Sequence, residues 1–228
     1  MIKNAQRAKI IEKLVSNGVE IPCPDGVIIE ENIEIGKGSI ILPNTIIMGK
    51  TKIGENCVIG PNSYICDTVI GNNTKLNNTQ SFESEIGSGV TAGPFVHIRP
   101  NCKIADNVHI GNFVEVKNST VDQGSKLPHL LYVGDSDVGK DVNFGCGCVT
   151  VNYDGRNKSR TTVKDGAFIG CNTNLVAPVT VGENAFTAAG STITEDVPDN
   201  SLAVARNKQT NKEDWVNIKK PYKRQHQK

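Results

Sequence analysis

A single histidine, His129, stands in 127-LPHLLYVGDSDVG-139 among small and aliphatic residues, with Tyr132 three positions on. Imidazole titrates near neutral pH, so a displayed histidine suits removal of a proton from a substrate. Two cations, Arg99 and Lys117, lie eighteen positions apart. The polar residues around them are gathered rather than scattered, in 93-GPFVHIRPN-101, 111-GNFVEVKNS-119, 126-KLPHLLYVGD-135, 143-NFGCGCVTVNYDG-155 and Asn157-Lys158. Metal chemistry fits poorly. His97, His109, His129 and His226 include no closely spaced pair, and Cys146 with Cys148 offers only two ligands, where zinc needs three or four. Two cysteines two apart in a strand would share a face, and small residues filling a tight coil explain the pair better.

The element that must position these residues counts in sixes. Aliphatic residues fall at Ile29, Ile35, Ile41, Ile47, Ile53, Ile59 and Ile65, and after a slip of one at Ile70, Leu76 and Phe82. A second slip gives Ile86, Ala92, Ile98, Ile104, Ile110 and Val116, and the count runs on through Val121, Leu127, Val133, Val138, Phe144 and Thr150. It resumes at Val163, Ile169, Leu175, Val181, Thr187 and Ile193. Helices repeat at 3.6 and strands at 2, so neither alone satisfies six. A solenoid of triangular coils does, with three short strands per coil, one aliphatic per face turned to the axis, and Gly, Asn or Asp at the corners. The expected fold is all-β, a hexapeptide-repeat parallel β-helix over residues 27–206. The stretch 151-VNYDGRNKSRTT-162 is expected as an expelled loop. Residues 1–26 read as a helix and linker, with Ile2, Ala5, Ile11, Leu14 and Val15 as its apolar side and Gly18 as its C-cap. Residues 207–228 read as a C-terminal tail, basic and unpatterned from 216 onward.

Composition bounds the partners. In 228 residues the formal net charge is +1, which leaves no basic footprint for nucleic acid. No apolar run is long enough to span a membrane, and the N-terminus lacks the pattern of a secretory signal. Seven cysteines, an odd number without a C-x-x-C pair, suit free thiols in a reducing cytoplasm.

A filled β-helix has no internal pocket, so chemistry must sit on a face, against the expelled loop or against a second copy. Three packed prisms would create three equivalent clefts, and a homotrimer is the expectation. Three function classes remain at this point: an acyltransferase, a zinc hydratase, or a non-catalytic scaffold. With three steps of six in each coil, Arg99 and Lys117 stack on one face about 5 Å apart. With no acidic partner in the count, the pair reads as an anion site suited to a phosphate.

The stretches GPFVHIRP, GNFVEVKNS, GSKLPHLLYVGD, VNFGCGCVTVNYDG-x-NK, NTNLVAPVTVG, TAAGSTIT and LAVAR-x-x-QT-x-K-x-x-W resemble the acetyltransferase half of the bacterial bifunctional glucosamine-1-phosphate N-acetyltransferase/N-acetylglucosamine-1-phosphate uridylyltransferase family. The resemblance covers roughly residues 29 to 215 and implies a left-handed β-helix. It also implies acetyl transfer from acetyl-CoA to the amino group of glucosamine 1-phosphate between subunits of a trimer, with no metal required for that step. Nothing in the sequence matches the family's nucleotide loop, so uridylyl transfer is not expected. By motif, His129 is the general base, and Arg99, Lys117, Tyr132 and Asn143 bind the acceptor. Cys146, Asn152, Tyr153, Lys158, Cys171, Ala189 and Arg206 fall at coenzyme positions. Cys171 stands where many relatives carry serine, and a thiol is a weaker donor to an oxyanion. Cys146 likewise replaces a smaller residue. The alternatives are another amino sugar, free or nucleotide-linked, as acceptor, or a silent β-helix that assembles with a separate uridylyltransferase.

Overall fold

A computed structural model describes residues 4–219. It is a parallel β-solenoid of about ten coils and 27 short strands. Every pairing between these strands is parallel, and register partners sit one coil apart, as in Ile53↔Ile70 and Ile28↔Ile46. Three flat faces result. Face A shows Tyr64, Gln80, His97, Glu115 and Tyr132 as one outward column. Face B shows Lys75, Thr91, His109, Lys126 and Asn143. Face C is a separate nine-stranded sheet.

The axis is filled as the six-count predicts. Ile41, Ile59, Leu76, Ile98, Ile110, Leu127, Phe144, Ile169 and Leu175 are fully buried, each stabilising the fold by about 1.5–3 kcal/mol. Close stacking forbids a side chain at certain corners: a Cβ on Gly36 would lie 2.6 Å from the Glu55 nitrogen of the next coil. Faces A and B merge into one 18-stranded sheet because two nine-residue strands, His109–Lys117 and Lys126–Gly134, run straight through the corner between them.

Several details depart from expectation. Ser81, not Phe82, holds the core position, because the coil from Ile65 to Ser81 is shorter than three full repeats. Phe82 points outward and packs edge-on to Tyr64 and His97, with ring centroids 5.3 and 5.8 Å apart. The N-terminal helix Asn4–Ser16 buries Ile10 and Leu14, while Val15 is exposed and Ile11 only partly covered. Ile2 lies outside the described residues. Gly18, at φ 87°, caps that helix. Cys146 and Cys148 do not share a strand face: Cys146 is exposed in a turn with Gly147, and Cys148 is buried. The expelled loop is narrower than 151–162, since Val149–Val151 and Thr161–Val163 are strands. In the tail, Trp215–Lys219 is helical; residues 220–228, His226 among them, lie outside the described residues.

Candidate active site on one ridge

His129 lies in the corner where Lys126–Gly134 turns from face B to face A, beside Leu130 at φ 50°. Its Nδ1 is 2.8 Å from Asn112 Oδ1 in the preceding coil, its register partner. An amide oxygen only accepts, so this bond takes its proton from Nδ1, and in the neutral imidazole that tautomer leaves the Nε2 lone pair to a substrate. His129 is exposed.

The same corner repeats in every coil. Extending the pairings Lys126↔Asn143, Asn143↔Phe168 and Phe168↔Phe186 by three positions places His129, Cys146, Cys171 and Ala189 on successive rungs. Backbone bonds tie the rungs: Gly147 N–H donates to Leu130 O, Asn172 N–H to Cys146 O and Gly190 N–H to Cys171 O. Arg206 follows, its Cδ 3.8 Å from where a Cβ on Gly190 would lie. Strand spacing makes this a straight ridge with one candidate residue about every 4.8 Å. Among the described residues the N–H groups of Cys146 and Cys171 donate to no protein acceptor.

The cations stack one coil apart as the count requires: Val116 lies opposite Ile98, and the Arg99 N–H donates to Val116 O. They do not lack acidic partners, which corrects that expectation. Arg99 Nη1 is 2.9 Å from Glu115 Oε1, and Lys117 Nζ is 2.9 Å from Asp135 Oδ2. The first pair is well exposed, so it contributes little to stability and leaves Arg99 available. The second is largely buried. Asp135 also accepts hydrogen bonds from Asn118 Nδ2 and Asn152 Nδ2. Burial disfavours the Asp135 charge, and the hydrogen bonds from Asn118, Lys117 and Asn152 outweigh it, holding the carboxyl below its usual range.

The expected site residues therefore fall into separate groups within one chain. The ridge gathers His129, Cys146, Cys171 and Ala189. Tyr132 stands three positions along face A, and Arg99 and Lys117 mark that face's far edge. Asn143 is on face B. Asn152, expected at the coenzyme, lies at the foot of the loop at the Lys117 edge, with Nδ2 3.5 Å from Tyr132 Oη and bonded to Asp135. Tyr153 and Lys158 pair as an antiparallel bridge in the exposed loop. That loop is closed by Asp154 Oδ1, which accepts from the N–H groups of Arg156 and Asn157. Its return is pinned by Arg160, which bonds Asp137 and the carbonyls of Ser136 and Asn118. Elsewhere, His97 and His109 stand on different faces, the latter 2.8 Å from Thr91 Oγ1. Among the described residues no group of three metal-ligating side chains converges, and no helix is long and apolar enough to cross a membrane.

Sequence reasoning missed Asn112 and Asp135. Asn112 is signalled only by the short coil that links it to His129. Asp135 lies one residue past Gly134, the register partner of Lys117, so the six-count did not point to it.

The chain is similar to known proteins along most of its length. The bifunctional protein GlmU of Geobacillus sp. (strain WCH70) is 57% identical over 210 residues, 92% of this chain and 46% of the relative. That of Caldanaerobacter subterraneus subsp. tengcongensis is 56% identical over 214 residues, 94% of this chain and 47% of the relative. That of Clostridioides difficile (strain 630) is 50% identical over 213 residues, covering 93% and 46%. The chain spans about half the length of these curated relatives. The six-repeat model "Bacterial transferase hexapeptide" matches residues 32–67, 50–79, 83–118 and 160–195. With that repeat written through more than half of its residues, the chain belongs to the bacterial transferase hexapeptide family.

Proposed function

We propose that the chain is an N-acetyltransferase that moves acetyl from acetyl-CoA to the amino group of glucosamine 1-phosphate, at sites completed between three copies. The observation that carries this reading is His129, held through Nδ1 by Asn112 with Nε2 free, at the head of a ridge of small residues.

The chemistry follows from the atoms. A sugar ammonium has no lone pair to attack a thioester, so the acceptor reacts as its free amine, one proton having passed to water; a second N–H proton passes to His129 Nε2 as the nitrogen bonds to the acetyl carbon. The carbonyl oxygen becomes an oxyanion, and the unengaged N–H groups of Cys146 and Cys171 are suited to receive it. The C–S bond then breaks, and the proton on Nε2 is available to the departing thiolate. Cys171 need not act through its side chain. Arg99 and Lys117 would hold the sugar phosphate, with Tyr132 and Asn143 on the sugar. Ala189, Arg206 and the loop residues Asn152, Tyr153 and Lys158 would line the coenzyme.

The separate groups support a homotrimer. Faces A and B slope away on either side of the ridge, so Tyr132 and Asn143 of one chain do not face a common point. In such an assembly a second copy laid against face A would set residues of another chain opposite Tyr132 and Lys117. Phe95, Phe113 and Leu130, a column of three rungs that ends next to His129, are more than half exposed, and the first two rings stack at 5.1 Å. Such an apolar stripe fits burial between copies.

The test follows release of coenzyme thiol from acetyl-CoA with glucosamine 1-phosphate, and then with other amino sugars. Release with glucosamine 1-phosphate is expected; none with any amino sugar overturns the enzymatic reading.

A further inference from the structure

We propose that Cys146 and Cys171 form a dithiol site, oxidised by small-molecule disulfides of the coenzyme class to a disulfide that bridges two coils and closes the thioester end of the ridge. The closure rests on the acetyl-transfer reading above; the dithiol itself does not.

Seven cysteines are free, and the structure sorts them. Cys57, Cys102 and Cys148 are buried, and burial is the first cause that pushes their thiols up, Cys148 to about 11. The thiols of Cys57 and Cys148 also donate to the carbonyls of Gly71 and Gly170 at 3.1 Å. These three act as small core residues and stay protonated. Cys66 is half-buried, and burial, with Asp67 beside it, pushes its thiol to about 11. Cys23 is half-buried near the N-terminal helix. Only Cys146 and Cys171 are exposed. Tight packing does not account for an exposed cysteine, because alanine or serine would fill the corner as well.

Position makes the two a pair. They continue the Phe144↔Ile169 register onto adjacent rungs, joined by the 2.7 Å bond from Asn172 N–H to Cys146 O. Strand spacing sets their Cα atoms about 4.8 Å apart, inside the roughly 4.4–6.8 Å that a disulfide spans. Cys171 Sγ leans over the preceding coil, 2.9 Å from where a Cβ on Gly145 would be. Both residues sit in turns outside the strands, so a small rotation brings the sulfurs together without breaking a ladder.

The step balances as thiol–disulfide exchange. One cysteine thiolate attacks the small disulfide, giving a mixed disulfide and one free coenzyme thiolate. The second cysteine thiolate attacks the protein sulfur of that mixed disulfide and expels the other coenzyme thiolate. Two protein thiols are oxidised, one small disulfide is reduced to two thiols, and the two protons lost by the cysteines pass to the leaving thiolates. The product places a disulfide directly below His129, where the acetyl group would lie.

The experiment uses the full chain in its native assembly. Protein is incubated with coenzyme A disulfide, freed of reagent, and examined by intact mass, peptide mapping and acetyl transfer before and after dithiothreitol. The expected result is loss of two hydrogens, a Cys146–Cys171 linked peptide, loss of acetyl transfer, and recovery on reduction. Cys171→Ser should instead trap a mixed disulfide of coenzyme on Cys146. Seven titratable thiols after oxidation, or a linkage through any other cysteine, overturns the proposal. Full acetyl transfer by completely crosslinked protein overturns the closure. A Cys146–Cys171 crosslink in a protein that acetylates no amino sugar when reduced supports the dithiol and overturns the enzymatic reading instead.

Discussion

The coils up to residue 92 and the coils from 93 to 134 share one kind of core and differ at one corner. Ile59 and Ile65 in the first region are as completely buried as Ile98 and Ile110 in the second. At the corner between faces B and A, the first region carries Asn44, Asn62 and Asn78 at φ 58°, 54° and 44°. Asparagine visits this left-handed conformation readily, because its short amide bonds locally; Asn44 Nδ2 donates to Asn62 Oδ1 at 3.1 Å. The second region puts Phe95, Phe113 and Leu130 in the same conformation, at φ 61°, 56° and 50°. Each costs about 1–2 kcal/mol there. Strained and exposed apolar residues persist where something other than folding retains them, and these three form the column that ends at Leu130, next to His129. The plain region shows what the lattice needs; the departures from it mark the site.

The largest effect should come from removing the base. His129→Ala is expected to lower kcat about 10²–10⁴-fold with little change in Tm, whereas Asn62→Ala in the plain corner leaves kcat unchanged. Near-normal turnover by His129→Ala would end the distinction. The core should show no such asymmetry. Ile59→Ala and Ile110→Ala should each lose about 2–5 kcal/mol in denaturant titrations, and a wide gap between them would mean that the two regions do not share a core.

Asp135→Asn leaves Lys117 without its buried charge partner, an effect of about 1–3 kcal/mol, or roughly 5–150-fold in kcat/KM. Steady-state kinetics should show KM rising more for the sugar phosphate than for acetyl-CoA; equal rises would detach Asp135 from the acceptor side. The same residue gives a pH signature. Its folded pKa is depressed, so its stabilising contribution is full above its unfolded value of about 4. That contribution is lost as pH falls through the lower folded value. Tm against pH below about 4 should fall more steeply for the wild type than for Asp135→Asn, and parallel curves would refute this. The smallest effect tests the corner itself. Asn62→Leu, which moves the second region's residue type into the first, should cost about 1 kcal/mol and leave kcat alone. No loss would show that bulky corner residues carry no strain and mark nothing.

The repeat was legible because one aliphatic in six is a burial pattern, and parallel stacking turns it directly into register. It failed at Phe82 because a periodic reading prefers the bulky residue, while a short coil turned Ser81 inward and left the ring to pack outside against Tyr64 and His97. The ridge was legible as separate motifs but not as a line. His129, Cys146 and Cys171 align only once the first interval is known to be a short coil and the second a long one that carries the loop. Burial of the acid beside Lys117 left no mark in local sequence. A charged residue after Gly134 reads as an ordinary turn, and only the fold encloses it.

The two long strands through the corner have a further consequence. A solenoid can gain or lose whole coils without disturbing its neighbours, so its length is free to vary almost anywhere. At the ridge that freedom stops, because distances there come in whole multiples of one rung. Removing the coil of Cys146 would bring Cys171 directly under His129, whereas removing a coil near Ile47 would shift the entire ridge as a rigid piece. The molecule is thus a ruler whose graduations are fixed over a few coils and whose blank end can be cut to any length.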